Sequence, residues 1–237
     1  CCGDCYEKSN CLSVEPLETE FRRKRTINPS SCHQDFSCTT GFCPSFVTVE
    51  GGRLRKPVLV ADGQDNFGEI PLPIVPDVPQ TYNIIVTGVG GTGVITIGAL
   101  LGMASHLSGR GVSVMDMTGL AQKGGAATSH IRVGRRPEDI HATRVGAGTA
   151  DLVLGCDVLA SASNDLLARV GKNRTRVLIN TAQGPTAEFV RNPDWRFPGA
   201  SAENDILDAI GGAGASADAV FVDARALVGV SVAGVCG

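Results

Sequence analysis

A chain of 237 residues, 43% of them hydrophobic, has room for one sizeable core and a small appended domain. Its formal net charge of −3 at pH 7 offers no basic face for neutralising phosphates, which argues against nucleic acid as the main partner. No basic, apolar and small-residue order of a signal peptide opens the chain, so a cytoplasmic, thiol-preserving setting is expected rather than a disulfide scaffold.

Seven of the nine cysteines crowd into the first 43 residues: Cys1, Cys2, Cys5, Cys11, Cys32, Cys38 and Cys43. Thiolates gathered at one point are soft ligands, suited to zinc or iron–sulfur clusters. Zinc usually takes paired hooks of which C-x2-C is the tight form, and among consecutive cysteines only Cys2 to Cys5 has that two-residue spacing, while Cys5 to Cys11, Cys32 to Cys38 and Cys38 to Cys43 are wider. A [4Fe–4S] centre asks for four thiolates with looser spacing, and Cys43-Pro44 repeats the ending of ferredoxin ligand runs. Iron–sulfur is therefore the preferred reading, with zinc and disulfides as competitors. Whether one cluster or two is left open, since two would call for about eight ligands. Residues 1–55 read as a small ferredoxin-like, metal-dependent iron–sulfur module, turn-rich and with little helical periodicity. Its basic run, Arg22-Arg23-Lys24-Arg25, reads as a solvated face or, beside a redox centre, as a dock for an acidic electron carrier. Opening on cysteine rather than methionine suggests a piece of a longer polypeptide.

Residues 56–80 hold Pro57, Pro71, Pro73, Pro76 and Pro79 and read as an extended linker. From residue 81 to 237 the pattern is an α/β domain with a doubly wound, mostly parallel, Rossmann-like sheet. Strands are expected at Asn83 to Thr87, Val112 to Met117, Thr128 to Val133, Leu152 to Gly155, Arg176 to Asn180 and Val220 to Asp223. Helices are expected at Val94 to Leu107, with apolar residues on one broad face, at Asp157 to Val170 and at Ala202 to Ile210. The stretch from Tyr82 to Leu107 has no charged residue, but its six glycines argue for strand, turn and helix over a membrane span.

Between the first strand and helix, Gly88-Val89-Gly90-Gly91-Thr92-Gly93 satisfies G-x-G-x-x-G, and Asp116 ends the next strand. Gly88, Gly90, Gly91 and Gly93 would let the backbone approach a pyrophosphate at the helix N-terminus, with Asp116 on a ribose. The alternative is that these glycines only pack helix against sheet. In the loop after the second strand, Gln122 can donate and accept, Lys123 can meet an anion, and Gly124 and Gly125 keep the backbone open. His130 reads as structural before catalytic. Cys156 and Cys236 have no ligand-spaced neighbour and read as structural or incidental thiols.

The run TGVGGTGVITIGALLGMASHLSGRGVSVMDMTGLAQKGGAATSHIRVG, residues 87–134, resembles the gamma-type domain of the 2-oxoacid:ferredoxin oxidoreductases, especially the fused bacterial form of the indolepyruvate branch. The cysteine-rich stretch at residues 9–52 resembles the segment preceding that domain, so the likeness covers residues 1 to about 227. It implies oxidative decarboxylation of an arylpyruvate on thiamine diphosphate and Mg2+, transfer of the acyl group to coenzyme A, and passage of electrons through iron–sulfur clusters to ferredoxin. No GDG with a distal Asn, the thiamine motif, occurs here. The resemblance therefore implies upstream thiamine-binding domains or subunits, a homo-oligomeric assembly without membrane or nucleic acid, and an isolated chain that is inactive in decarboxylation. Gln122 to Gly125 would approach the thiamine and coenzyme A region. Two departures stand out: Cys1 and Cys2 are adjacent where the family run looks like C-x-x-C-x-x-C, and the tail leaves the pattern after Ala226. The competing functions are an NAD(P)- or flavin-linked iron–sulfur reductase, with Asp116 holding the ribose, and a non-catalytic electron-transfer subunit.

Overall fold

The computed structural model describes residues 3–11, 13–28, 32, 34–43, 46–47, 50–52, 80–119, 125–184, 192, 195–212, 214 and 218–224. The N-terminal module opens with a short helix, α1 (Asp4–Ser9), followed by a hairpin of β1 (Val14–Thr19) and β2 (Arg22–Ile27). The two strands are antiparallel, with Val14 opposite Ile27 and Thr19 opposite Arg22. Val14 and Ile27 anchor the hairpin by packing into an apolar cluster with Tyr6, Cys5, Cys11 and Cys38. Glu18 adds a cross-strand ion pair with Arg23. A 3-10 turn at Ser37–Thr40 carries Cys38.

The basic run is thus β2, and alternate side chains of a strand face opposite ways. Arg23 turns to Glu18 and to the Trp195 carbonyl. Arg25 lies against Gly3, near enough to Cys5 and Tyr6 to act on both. For these two arginines a solvated docking face is replaced by an inward role.

Beyond residue 80 lie β3 (Thr81–Val89), β4 (Gly111–Thr118), β5 (Ala126–Gly134), β6 (Leu152–Gly155), β7 (Arg176–Asn180) and β8 (Ala219–Val222). They form one sheet in the order β4-β5-β3-β6-β7-β8. From β3 to β8 the neighbours are parallel, while β5 is antiparallel to both β3 and β4. The reason is local: a parallel return needs a crossover of about a dozen residues or more, and the chain between Thr118 and Ala126 is too short.

Helix α2 (Val94–Leu107) packs on β3, β4 and β5. On the other face, α3 (Val158–Ser161), α4 (Asn164–Leu167) and α5 (Gly199–Ile210) cover the parallel strands. The period of two along β3 feeds both layers. Ile84 and Val86 meet Val94 of α2, and Ile85 joins Val153, Ile179, Ile206 and Ile210 on the opposite side. Among the described residues, no helix is long and apolar enough to cross a membrane.

Three local expectations change. The helix expected from Asp157 to Val170 is two short helices, because Ser163 takes an extended backbone (φ −67°, ψ 145°) and starts α4 afresh. Val170 then bridges to Ala150 as a strand would. Helix α5 begins at Gly199, ahead of Ala202. On α2 the residues most buried are Val94, Gly98 and Gly102, while Leu100, Met103 and Leu107 are exposed. The helix presses its glycines against Ser129 and Val114, where a Cβ would collide, and leaves apolar side chains outside.

Candidate functional site

Two constellations bear chemistry. The first is the thiol nest. Helix α1 places Cys5 in its first turn, and Asp4 Oδ2 accepts a hydrogen bond from Phe42 N at 2.6 Å. At Gly41 the backbone comes so close to α1 that a Cβ would lie 2.6 Å from Cys5 Cα and 2.7 Å from Cys5 N. These contacts seat the turn bearing Cys38 on the start of α1. Cys5, Cys11 and Cys38 are buried together, and Cys32 and Cys43 are half-buried.

All five are free thiols. Burial pushes the Cys5 thiol up, Cys43 adds to this, and Arg25 works against it. Burial also pushes up Cys38, seconded by Cys11 and then Cys32. Thiols that resist one another's ionisation, beside a guanidinium, suit in kind a soft, positively charged metal centre. Among the described residues, no three His, Cys, Asp or Glu groups stand close enough to hold one metal ion. Cys1 and Cys2, as well as Pro44 and Cys236, lie outside the described residues.

The second constellation is the mouth at the carboxyl ends of the parallel strands, where open α/β sheets place ligands. Gly88 still belongs to β3, and the turn proper runs from Gly90 to Gly93, with Gly93 at φ 85° as the N-cap of α2. A Cβ on Gly88 would meet Thr92 Oγ1 at 2.5 Å and Cys156 Cβ at 2.9 Å, so the inner side of the loop is filled by protein. Gly90 N donates to Gly125 O at 2.8 Å, which ties the glycine turn to the segment leading into β5. Gly91 faces open space at φ 98°. Of the polar loop, Gly125 is beside the glycine turn; Gln122, Lys123 and Gly124 lie outside the described residues.

Cys156 follows β6 and donates its N–H to Thr87 O at 2.7 Å; burial pushes its thiol up. Next to it Asp157 caps α3, accepting from Ala160 N at 2.8 Å, and burial raises its carboxyl against that bond. Asn180 donates to Cys156 O at 3.1 Å and accepts from Ala182 N and Ala224 N. Thr92, Cys156, Asp157 and Asn180 thus line the mouth. Thr92 belongs to the glycine motif, whereas only their places at strand ends mark Cys156, Asp157 and Asn180 in the sequence.

The strand order sets Asp116 apart from this mouth. Strand β5 stands between β3 and β4, and Asp116 Oδ1 lies 3.6 Å from where a Cβ on Gly98 would be, against the second turn of α2. A dinucleotide fingerprint wants its acid on the strand adjoining the glycine loop. His130 is fully buried on β5, where its Nδ1 accepts from Val145 N at 3.2 Å. Burial, then Arg169 and Arg144, hold its pKa down to about 4, with Asp165 opposing.

His130 therefore acts on stability. With 6.5 as its ordinary value, the unfolded chain binds more protons than the folded one between pH 6.5 and about 4. Its contribution is complete above pH 6.5 and is lost as pH falls towards 4, on the order of 3 kcal/mol in all. His130→Asn keeps an acceptor for Val145 N. Denaturant titrations from pH 7 to pH 5 should show a flatter pH dependence in this variant, and an unchanged slope would refute the role.

Comparison with known proteins gives a consistent picture. The family described as Pyruvate ferredoxin/flavodoxin oxidoreductase matches residues 83–232, more than half of the chain. Over 114 residues the chain is 32% identical to the indolepyruvate oxidoreductase subunit IorB of Methanothermobacter thermautotrophicus, covering 48% of this chain and 55% of that protein. The subunit of the same name from Thermococcus kodakarensis is 40% identical over 75 residues, 32% of this chain and 36% of that protein. The chain thus spans about half or less of the length of the curated relatives it matches. Among solved structures, a pyruvate oxidoreductase subunit from Thermotoga maritima aligns with a TM-score of 0.36 at 21% identity, covering 48% of this chain and 56% of that one. For the keto/oxoacid ferredoxin oxidoreductase gamma subunit of Geobacter sulfurreducens the TM-score is 0.33 at 18% identity, covering 54% and 73%.

Proposed function

This chain belongs to the pyruvate ferredoxin/flavodoxin oxidoreductase family, and from that membership we propose that it forms the electron-transfer piece and part of the active-site wall of an indolepyruvate-type 2-oxoacid:ferredoxin oxidoreductase. The thiols of Cys1, Cys2, Cys5, Cys11, Cys32, Cys38 and Cys43 supply the ligands of one or two [4Fe–4S] clusters. When bound, such a cluster accepts and releases single electrons. In the overall reaction an arylpyruvate loses carbon dioxide, its acyl group joins coenzyme A, and two electrons leave for ferredoxin. Thiamine diphosphate and Mg2+ belong to upstream domains or subunits of a cytoplasmic oligomer.

The residues of this chain then have separate tasks. The Cys5–Cys11–Cys38 nest keeps water from the thiols, and Arg25 beside Cys5 offsets negative charge there. At the mouth, Gln122, Lys123, Gly124 and Gly125 meet the thiamine and coenzyme A region in this reading, and the bond from Gly90 to Gly125 ties the segment leading into β5 to the glycine turn. Gly88, Gly91 and Gly93 shape the turn.

The observation that carries this reading is the convergence of free, mutually interacting thiols in a module on the N-terminal side of the family domain. Anaerobically prepared protein should contain iron and acid-labile sulfide, about four of each per cluster. Cys38→Ala and Cys43→Ala should lower both, and Cys156→Ala should lower neither. Stoichiometric zinc without sulfide, or equal loss in all three variants, would end the assignment.

A further inference from the structure

The chain has one tryptophan, Trp195, and it stands between the two cores. Its ring packs against the cluster of Cys5, Cys11 and Cys38. It also meets Phe197 edge-on, with centroids 6.0 Å apart at 88°, and Phe197 packs on the core of the parallel strands and α5. The Trp195 carbonyl accepts from Arg23 NH1 at 2.8 Å, while Arg23 Nε is paired with Glu18 on the neighbouring strand. The hairpin thus grips the backbone of the residue whose ring the thiol nest grips. Beside this link lies a cavity of about 290 Å³, lined by Glu15 and Glu18 on the hairpin and by Gln183 and Phe197 on the domain.

We infer that Trp195 is a positioning residue that fixes the thiol nest against the rim of the α/β domain. Where a cavity interrupts the packing, a buried aromatic anchor and its backbone hydrogen bond fix the orientation of the parts they join. Gln183 follows β7 by a few residues, so the rim it lines belongs to the same strand end as Asn180. In the proposed function, which this inference deepens, Trp195 sets the separation between the redox thiols and the mouth, on which electron passage depends steeply.

The test uses the full chain as isolated under anaerobic, reducing conditions, with iodoacetamide as the probe and alkylation rates resolved at each cysteine by mass spectrometry. Trp195→Ala should speed modification of Cys5, Cys11 and Cys38 by about tenfold, as expected when a local opening becomes easier. Cys156, in the α/β domain, should react at its original rate, and Trp195→Phe should keep the nest within roughly twofold of the parent protein. No selective acceleration, or an equal acceleration at Cys156, overturns the inference. If Trp195→Ala fails to fold, Arg23→Ala must produce the same selective pattern, or the inference falls. Iron and sulfide content decides the ligand reading separately, so the two can fail independently.

Discussion

Gly41→Ala is expected to abolish incorporation of iron and sulfide while leaving the α/β domain folded. A Cβ at this position would fall 2.6 Å from Cys5 Cα and 2.7 Å from Cys5 N. Both obstacles are backbone, so no rotamer change can make room. The turn bearing Cys38 would have to lift from α1, taking with it the bond from Phe42 N to Asp4. Overpacking of this kind costs about 1–3 kcal/mol. A six-residue helix with a small apolar cluster has little to set against that loss. Far-UV circular dichroism and the main thermal transition should stay close to those of the parent chain, whereas iron content falls to background. Retention of parental iron and sulfide would refute the seating of the thiols on α1.

Gly111→Ala should have the largest effect on the α/β domain itself. Gly111 opens β4 opposite Gly134, and a Cβ there would collide with the Arg136 carbonyl and stand 2.5 Å from Pro137 N. That backbone is held in turn by Asp139: its Oδ2 accepts from Arg136 N at 3.0 Å, and its N–H donates to Arg136 O at 3.1 Å. Edge strand and turn cannot both keep their places, and a loss of about 2–3 kcal/mol follows. The unfolding midpoint should drop by roughly 5–10 °C. Gly90→Ala is the contrast, because the nearest atom to its Cβ would be Gly125 O at 3.5 Å. Equal midpoints for the two variants would remove the steric explanation.

The alternation of β and α segments was legible in the chain because the strands are short apolar runs bounded by turn residues, as at Leu152–Gly155 and Arg176–Asn180. The β1–β2 hairpin was hidden. Its charged residues occupy both faces, and Val14 and Ile27 pack against cysteines of the flanking turns rather than through an apolar pattern of the strands themselves. The break at Ser163 is a single residue of extended backbone within a run that looks helical by period alone. At the mouth, the glycine motif and its strand-to-helix setting could be read, but the place of Asp116 could not. Strand order is decided by which edges find partners, and the antiparallel β5 claimed the edge of β3. The inward turn of Arg25 and the anchoring by Trp195 arise only where distant segments meet, so neither has a signature along the chain.

The mixed character of the sheet also orders events in time. The β4–β5 ladder closes through a short connection, and β5 then lies down on β3, so this half gathers its contacts from nearby chain. Each of β6, β7 and β8 must await a crossover, and such distant pairings form more slowly. On a ribosome, where the N-terminal side emerges first, the half that carries the glycine turn is complete before the strand bearing Asn180 has left the exit tunnel. Assembly runs outward from β3, and the mouth gains its second wall only after the glycine turn is in place.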